Sequence, residues 1–188
     1  MIKILHRHTR ELLFVYPRDT FIGQDLRGFN LEFADLSGQD LTEAIMEGMN
    51  LDETEFSYAT LIGAKMARCS LREAIFDSTD LTEAKLDNCK FSMTAFVRAV
   101  LTRADFSGSD FEGVTNFTYA IAIGTKFRNI KKIGSPIFEN IDCGGADFTG
   151  TDLTVISEGD ILDANFEGAV LDPASKEYLE KILRKEIK

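Results

Sequence analysis

The sequence has no tryptophan, two histidines, three prolines and three cysteines among 188 residues. Each shortage closes off a class of protein. An odd number of cysteines at wide spacing argues against a disulfide framework and for a reduced, cytoplasmic chain. His6 and His8 have no cysteine or carboxylate cluster at ligand spacing, so neither a metal nor a cofactor is expected. No apolar run reaches the roughly 18 residues of a membrane span. The N-terminal residues carry Lys3, Arg7, Arg10 and Glu11 among their apolar ones, unlike a signal-peptide core. Basic residues are also in deficit, 21 against 31 acidic, for a net charge of −10. Nucleic acid and anionic lipid repel such a chain, so neither is an expected ligand; a protein that itself binds DNA is a more natural partner.

What is present is a repeat. From residue 26 to residue 111 every fifth position is Leu, Met or Phe, beginning Leu26, Leu31, Leu36 and ending Leu101, Phe106, Phe111. Two positions earlier the residue is small: Ala at 34, 44, 59, 64, 74, 84, 99 and 104, with Thr54, Cys69, Thr79, Cys89, Thr94 and Ser109 elsewhere. Only Gln24, Phe29, Gln39 and Met49 depart from this. The residue between the pair is usually Asp or Asn, as at Asp25, Asn30, Asp35, Asp40, Asn50, Asp80, Asp105 and Asp110.

A period of five fits neither an α-helix, which would smear the large residue around its circumference, nor a flat strand, which would alternate it between faces. It fits a chain that turns a corner every five residues and buries every large residue. Successive turns would stack about 4.8 Å apart and share one continuous core that no single repeat could build. The 15 phenylalanines, without tryptophan, then read as rings stacked inside. Gly28, Gly38, Gly48, Gly63, Gly108 and Gly113 recur at one phase, where a corner needs positive φ or close backbone approach.

The runs Ala34-Asp35-Leu36, Ala104-Asp105-Phe106, Ala146-Asp147-Phe148 and Ala164-Asn165-Phe166 resemble the motif of the pentapeptide-repeat family. The resemblance spans residues 21–171. It implies an all-β fold, a right-handed quadrilateral β-helix with four pentapeptides per coil. A spacing of 20 then aligns Leu41, Leu61, Leu81 and Leu101 on one face and Phe56, Phe76 and Phe96 on another.

The phase slips after Phe111, since Phe117 follows six residues on with Thr115 in the small position. Residues 128–145 fit the repeat poorly, and a second slip is expected between Ile137 and Phe148. The motif returns at Phe148 and Leu153, breaks over residues 155–162, with residues 154–162 expected as a short loop, and returns at Phe166 and Leu171. One-residue insertions read as bulges at corners. Open solenoid ends need covers. Residues 1–20 read as a strand–turn–strand cap. Residues 172–188 read as a capping helix, with Asp172-Pro173 at its start and Tyr178, Leu179, Ile182, Leu183 and Ile187 on its apolar side. One helix is too narrow to cover a whole coil, so these residues are also the candidate homodimer contact.

No acid/base pair, serine–histidine arrangement or phosphate-binding glycine motif stands out. Cys69 and Cys89, which recur in the small inward position on the same face, read as buried, inert thiols. The most acidic side face carries Glu32, Asp52, Glu53, Glu73, Asp110 and Glu112 against Arg72 and Lys90. The expected function is therefore a non-enzymatic scaffold for a protein partner that the sequence does not identify. The resemblance adds an alternative. Some family members mimic duplex DNA and protect DNA gyrase, a type II topoisomerase, from quinolones. Their long projecting loops have no counterpart in residues 26–111.

Overall fold

A computed structural model describes residues 1–161 and 163–183. Four parallel ladders of backbone bridges run along the chain. One links Asp25, Ile45, Lys65, Lys85 and Asp105, and another links Asp35, Glu55, Ile75 and Ala95. In both, each member stands four pentapeptides after the last. Four five-residue segments therefore make one coil, and each coil hydrogen-bonds to the next, as where Leu36 N donates to Glu55 O at 2.8 Å and Glu55 N to Ala34 O at 2.9 Å. All of the large fifth residues from 26 to 111 are buried, as are the residues two before them from Ala44 onward.

Each position of the repeat has a physical task. The Asp or Asn accepts a hydrogen bond from the backbone N two residues on, as Asp35 does from Ser37 and Asp80 from Thr82, and so fixes the corner. Where Thr, Cys or Ser replaces Ala, the side chain donates to a carbonyl of the previous coil: Thr54 to Leu31 O, Cys69 to Met46 O, Thr79 to Phe56 O, Cys89 to Met66 O, Ser109 to Leu86 O. The corner residue two places after the large one usually has positive φ. Gly38 and Gly48 supply it without strain (65° and 71°), while Glu53 and Arg68 adopt it at 56° and 62°. Gly28 departs from expectation: it shares the phase but not the positive φ. Inside, Phe56, Phe76, Phe96 and Phe117 form one stack with centroid spacings of 4.9, 4.9 and 5.0 Å, the rise of one coil.

Beyond Phe111 the coil lengthens. Relative to four pentapeptides, the bridge from Asp105 to Lys126 spans one residue more, that from Asp110 to Lys132 two more, and that from Asp147 to Val170 three more. The elements that take up the extra length are β6 (Asp110–Asn116) and β7 (Lys132–Ile137), paired in parallel. They follow β1 (Ile2–His6), β2 (Leu12–Tyr16) and three two-residue strands, β3 (Ala34–Asp35), β4 (Lys90–Phe91) and β5 (Thr94–Ala95). An insertion in one coil must be answered in the next or the parallel ladder loses register. The register shift of β6 on β7, between Phe111 and Val114, is answered by an extra residue just before β7. The second slip is thus not between Ile137 and Phe148. It falls between Phe127 and Ile133, which stands opposite Phe111. From Phe138 the period of five continues through Cys143, Phe148 and Leu153, all buried. Small residues hid it, because Ala122 and Cys143 hold the place of the large one. The next coil inserts three residues, and part of the expected loop is a 3-10 helix at Glu158–Ile161.

Both ends are covered. β1 and β2 pair antiparallel, and β1 docks antiparallel on β3, where a preceding coil would otherwise lie. Ile4 and Tyr16 are buried beneath the hairpin with Phe21. Helix α1 (Pro173–Leu183) lies across one half of the last coil. Ser175 Oγ accepts from Leu153 N at 3.1 Å, and Tyr178 OH donates to Ile156 O. Leu179 and Ile182 are buried, while Tyr178 and Leu183 are partly so. Ile187 lies outside the described residues.

Candidate interaction surface

The acidic residues singled out in the sequence do share one side face, because the ladder through Asn50, Ser70, Lys90, Asp110 and Lys132 stacks their segments. Cations are interleaved with them. Arg72 N donates to Asp52 Oδ1 at 2.9 Å and its guanidinium lies 3.8 Å from Oδ2. Lys132 Nζ lies 3.3 Å from Glu112 and 3.9 Å from Asp110. The turn of the N-terminal hairpin lies over the same face: Arg7 donates to the carbonyls of Glu53 and Glu73 at 2.8 and 3.1 Å, and His8 Nε2 is 3.4 Å from Glu53. Glu32 is half-buried. This surface is a charge mosaic rather than an acidic stripe.

The corner carboxylates are held by the fold. Side-chain and backbone hydrogen bonds from Arg27 hold Asp25 to about 2. Burial pushes Asp147 up, but hydrogen bonds from Arg128 and Thr149 outweigh it and also hold it to about 2. Asp77, where burial prevails, is raised. His6 stacks on Phe33 at 5.2 Å, and among the described residues no group of His, Cys, Asp and Glu is placed to hold a metal. The three thiols are buried and unpaired, and burial raises Cys89 and Cys143 well above the usual thiol range. A thiol held protonated is a poor nucleophile.

Sequence reasoning missed the surface with the strongest contact character. Around the widened coil, Tyr119, Ile121, Ile123 and Val114 are 41–50% exposed, and Met93 is 61% exposed. Val100 bridges to Ile121, and the guanidinium of Arg98 sits 5.5 Å from the centroid of the Tyr119 ring. Ile121 and Ile123 flank Ala122 and point outward because Ala122 points in. The signal was legible: outward positions of the repeat held large apolar residues.

A family model described as pentapeptide repeats, in eight copies, matches residues 21–57, 54–92, 79–115 and 96–131. No curated protein matches the sequence. Several solved structures do. One is a pentapeptide repeat protein of the Arabidopsis thaliana thylakoid lumen, 28% identical over 59% of this chain and 70% of that one, with a TM-score of 0.44. HetL of the cyanobacterium Nostoc sp. strain PCC 7120, involved in heterocyst differentiation regulation, is 23% identical over 80% of this chain and 63% of that one, with a TM-score of 0.47. A trypsin-treated variant of QnrB1, a plasmid-mediated fluoroquinolone resistance protein, is 18% identical over 86% of this chain and 94% of that one, with a TM-score of 0.48.

Proposed function

The chain belongs to the pentapeptide-repeat family, and from that premise we propose that it is a non-enzymatic scaffold whose side face around Tyr119 docks a protein partner. The observation that carries this reading is the exposure of Tyr119, Ile121 and Ile123 within five residues of one coil, with Arg98 over the Tyr119 ring and Val100 beside Ile121. Large apolar side chains set side by side on the surface of a soluble fold mark a contact site. Tyrosine and arginine are the residues on which such contacts most often turn. The four ladders support closure of the coils as a right-handed quadrilateral β-helix, whose flat sides suit it to this role. The three unpaired thiols support a cytoplasmic location.

The competing reading, a DNA mimic that binds gyrase, needs a continuous acidic column. Arg72, Lys132, Arg7 and His8 interrupt that column. On our reading the purified protein leaves gyrase supercoiling unaffected at micromolar concentration.

The two readings separate on salt. Immobilised protein should capture a cytoplasmic partner at low salt and keep it as salt rises, because apolar contacts are not screened. A contact made through the acidic face would be lost. A partner that elutes with salt and inhibition of supercoiling by the same protein would overturn the proposal.

A further inference from the structure

The Tyr119 face ends at a corner beside Ile123, and the side beyond that corner is basic on an otherwise acidic chain. There Lys65 and Lys85 bridge each other directly in one parallel ladder, followed by Asp105 and Lys126. Lys65 and Lys85 are exposed, and among the described residues neither has a carboxylate within ion-pair distance. Like charges in facing positions cost stability, and here no neighbouring acid offsets them. Asp105 lies between Lys85 and Lys126 but is taken by Lys126, at 3.4 Å. At the corner itself Arg103 pairs with Glu83 at 2.7 Å. Gly63 and Gly124 stand on either side of that pair and carry no side chain, which leaves a hollow of about 490 Å³ lined also by Lys85, Arg103 and Lys126. Lys65, Lys85, Arg103 and Lys126 thus outnumber Glu83 and Asp105 on a chain whose net charge is −10. The hollow is continuous with the apolar surface, since Arg103 N donates to Ile123 O at 3.0 Å.

We propose that the partner of the Tyr119 face is a protein whose apolar contact is followed by an acidic segment, and that this segment crosses the corner beside Ile123 to lie on Lys85 and Lys65. The inference rests on the docking reading given above and adds the partner's chemistry. Carboxylates suit the site better than a nucleic-acid backbone. Glu83 and Asp105 divide the cations into short groups, and a continuous run of phosphates would meet both acids. Spaced Asp or Glu residues avoid them. Charges at the edge of a contact set mainly how fast the partners meet, while the apolar centre holds them together. Salt therefore slows association without releasing the partner.

The test is selection from a phage-displayed library of random peptides on the full-length protein. Enriched peptides are synthesised and measured on the wild type, on Tyr119→Ala, and on two lysine variants. Lys65→Gln with Lys85→Gln removes the charge, and Lys65→Glu with Lys85→Glu reverses it; circular dichroism melts establish that the variants fold. Enriched peptides should join large apolar residues to Asp or Glu. Their affinity should fall about tenfold or more in Tyr119→Ala. Their association rate at low salt should fall about threefold in the charge-removed variant and about tenfold in the charge-reversed one. Peptides that need Tyr119 but carry no acid, or whose rates ignore the lysines, would overturn this inference and leave the docking reading standing. Acidic peptides that bind Tyr119→Ala as well as they bind the wild type would overturn the docking reading, and this inference with it. Failure to enrich any peptide would overturn both. A single-stranded oligonucleotide that binds more tightly than every selected peptide would make the anion a nucleic acid and overturn this inference.

Discussion

Residues 26–111 and residues 112–171 follow the same rule with different success. In the first stretch every coil is four unbroken pentapeptides, and Phe56, Phe76 and Phe96 lie within 6° of parallel. In the second each coil gains between one and three residues, and Phe138 meets Phe117, the ring beneath it, at 60°, although Phe148 stays within 13° of Phe127. A cavity of about 20 Å³ opens among the rings there, bordered by Ile133 and Pro136. Thr115 holds the small position, yet its Oγ1 is buried without the carbonyl partner that Thr79 and Thr94 find. Register, not hydrophobicity, is what the insertions disturb. The widened coils keep a core but lose its strict repetition, and Tyr119, Ile121 and Ile123 are exposed where that happens.

Substitutions can break this contrast. The largest effect is expected at the ring stack. Phe76→Ala should cost about 3–5 kcal/mol, the upper range for an aromatic ring with no room to collapse. Phe138→Ala should cost less, because Phe138 already borders a void into which neighbours can relax. Urea melts of the two variants measure both values, and equal losses would mean the two cores are equally tight.

Glycine gives the next contrast. A Cβ on Gly134 would lie 2.6 Å from the backbone N of Gly113 and closer still to its O. β6 and β7 can pair across their register shift only because two glycines meet there. Gly134→Ala should therefore cost up to about 3 kcal/mol of overpacking. Gly145 has positive φ (64°) but open space around its Cβ, so Gly145→Ala should cost only the strain of that conformation, about 1–2 kcal/mol. Reversal of that order in thermal melts would place the close approach elsewhere.

Threonine should reverse sign between the two stretches. Thr79→Val removes a hydrogen bond to Phe56 O and should destabilise by about 1 kcal/mol. Thr115→Val removes a buried hydroxyl that has no partner and should be neutral or stabilising by about 1 kcal/mol. A loss at Thr115 equal to that at Thr79 would mean its hydroxyl is satisfied.

The smallest effect concerns pH. Asp147 is held to about 2 in the folded chain, below the roughly 3.9 of a free aspartate. Its contribution is therefore complete above about pH 4 and lost as pH falls toward about 2. Asp147 pairs with Arg128 at the surface, so no more than about 1 kcal/mol is at stake. Wild type and Asp147→Asn should differ at pH 7 and converge near pH 2. A gap that persists in acid would assign the effect to packing.

The regular stretch could be read from sequence because each buried residue announces itself: Leu, Met or Phe at every fifth place and a small residue two before it. The widened stretch could not, for a specific reason. Ala122 and Cys143 are small where the rule asks for large, so the eye loses phase although the backbone keeps it. The slip at Phe117 was legible because two phenylalanines bracket it, whereas the one before Ile133 lies between residues that carry no motif. The acidic face was visible as a set of charges with Arg72 and Lys90 among them, but Arg7 of the hairpin and Lys132 of the widened coil are brought to it only by folding. Tyr119, Ile121 and Ile123 were legible as large apolar residues between Phe117 and Phe127, at positions where the repeat faces outward.

The proposed function rests on the Tyr119 face being the docking site, and one binding measurement tests it most directly. The affinity of the captured partner is compared for the wild type, for Tyr119→Ala, and for a variant with Asp52→Lys, Glu53→Lys and Glu73→Lys. Tyr119→Ala should weaken binding about 30-fold or more, equivalent to about 2 kcal/mol, while the charge-reversed variant should bind within a few-fold of wild type. Unchanged binding by Tyr119→Ala together with loss of binding in the charge-reversed variant would contradict this and return the acidic face to the centre of the function.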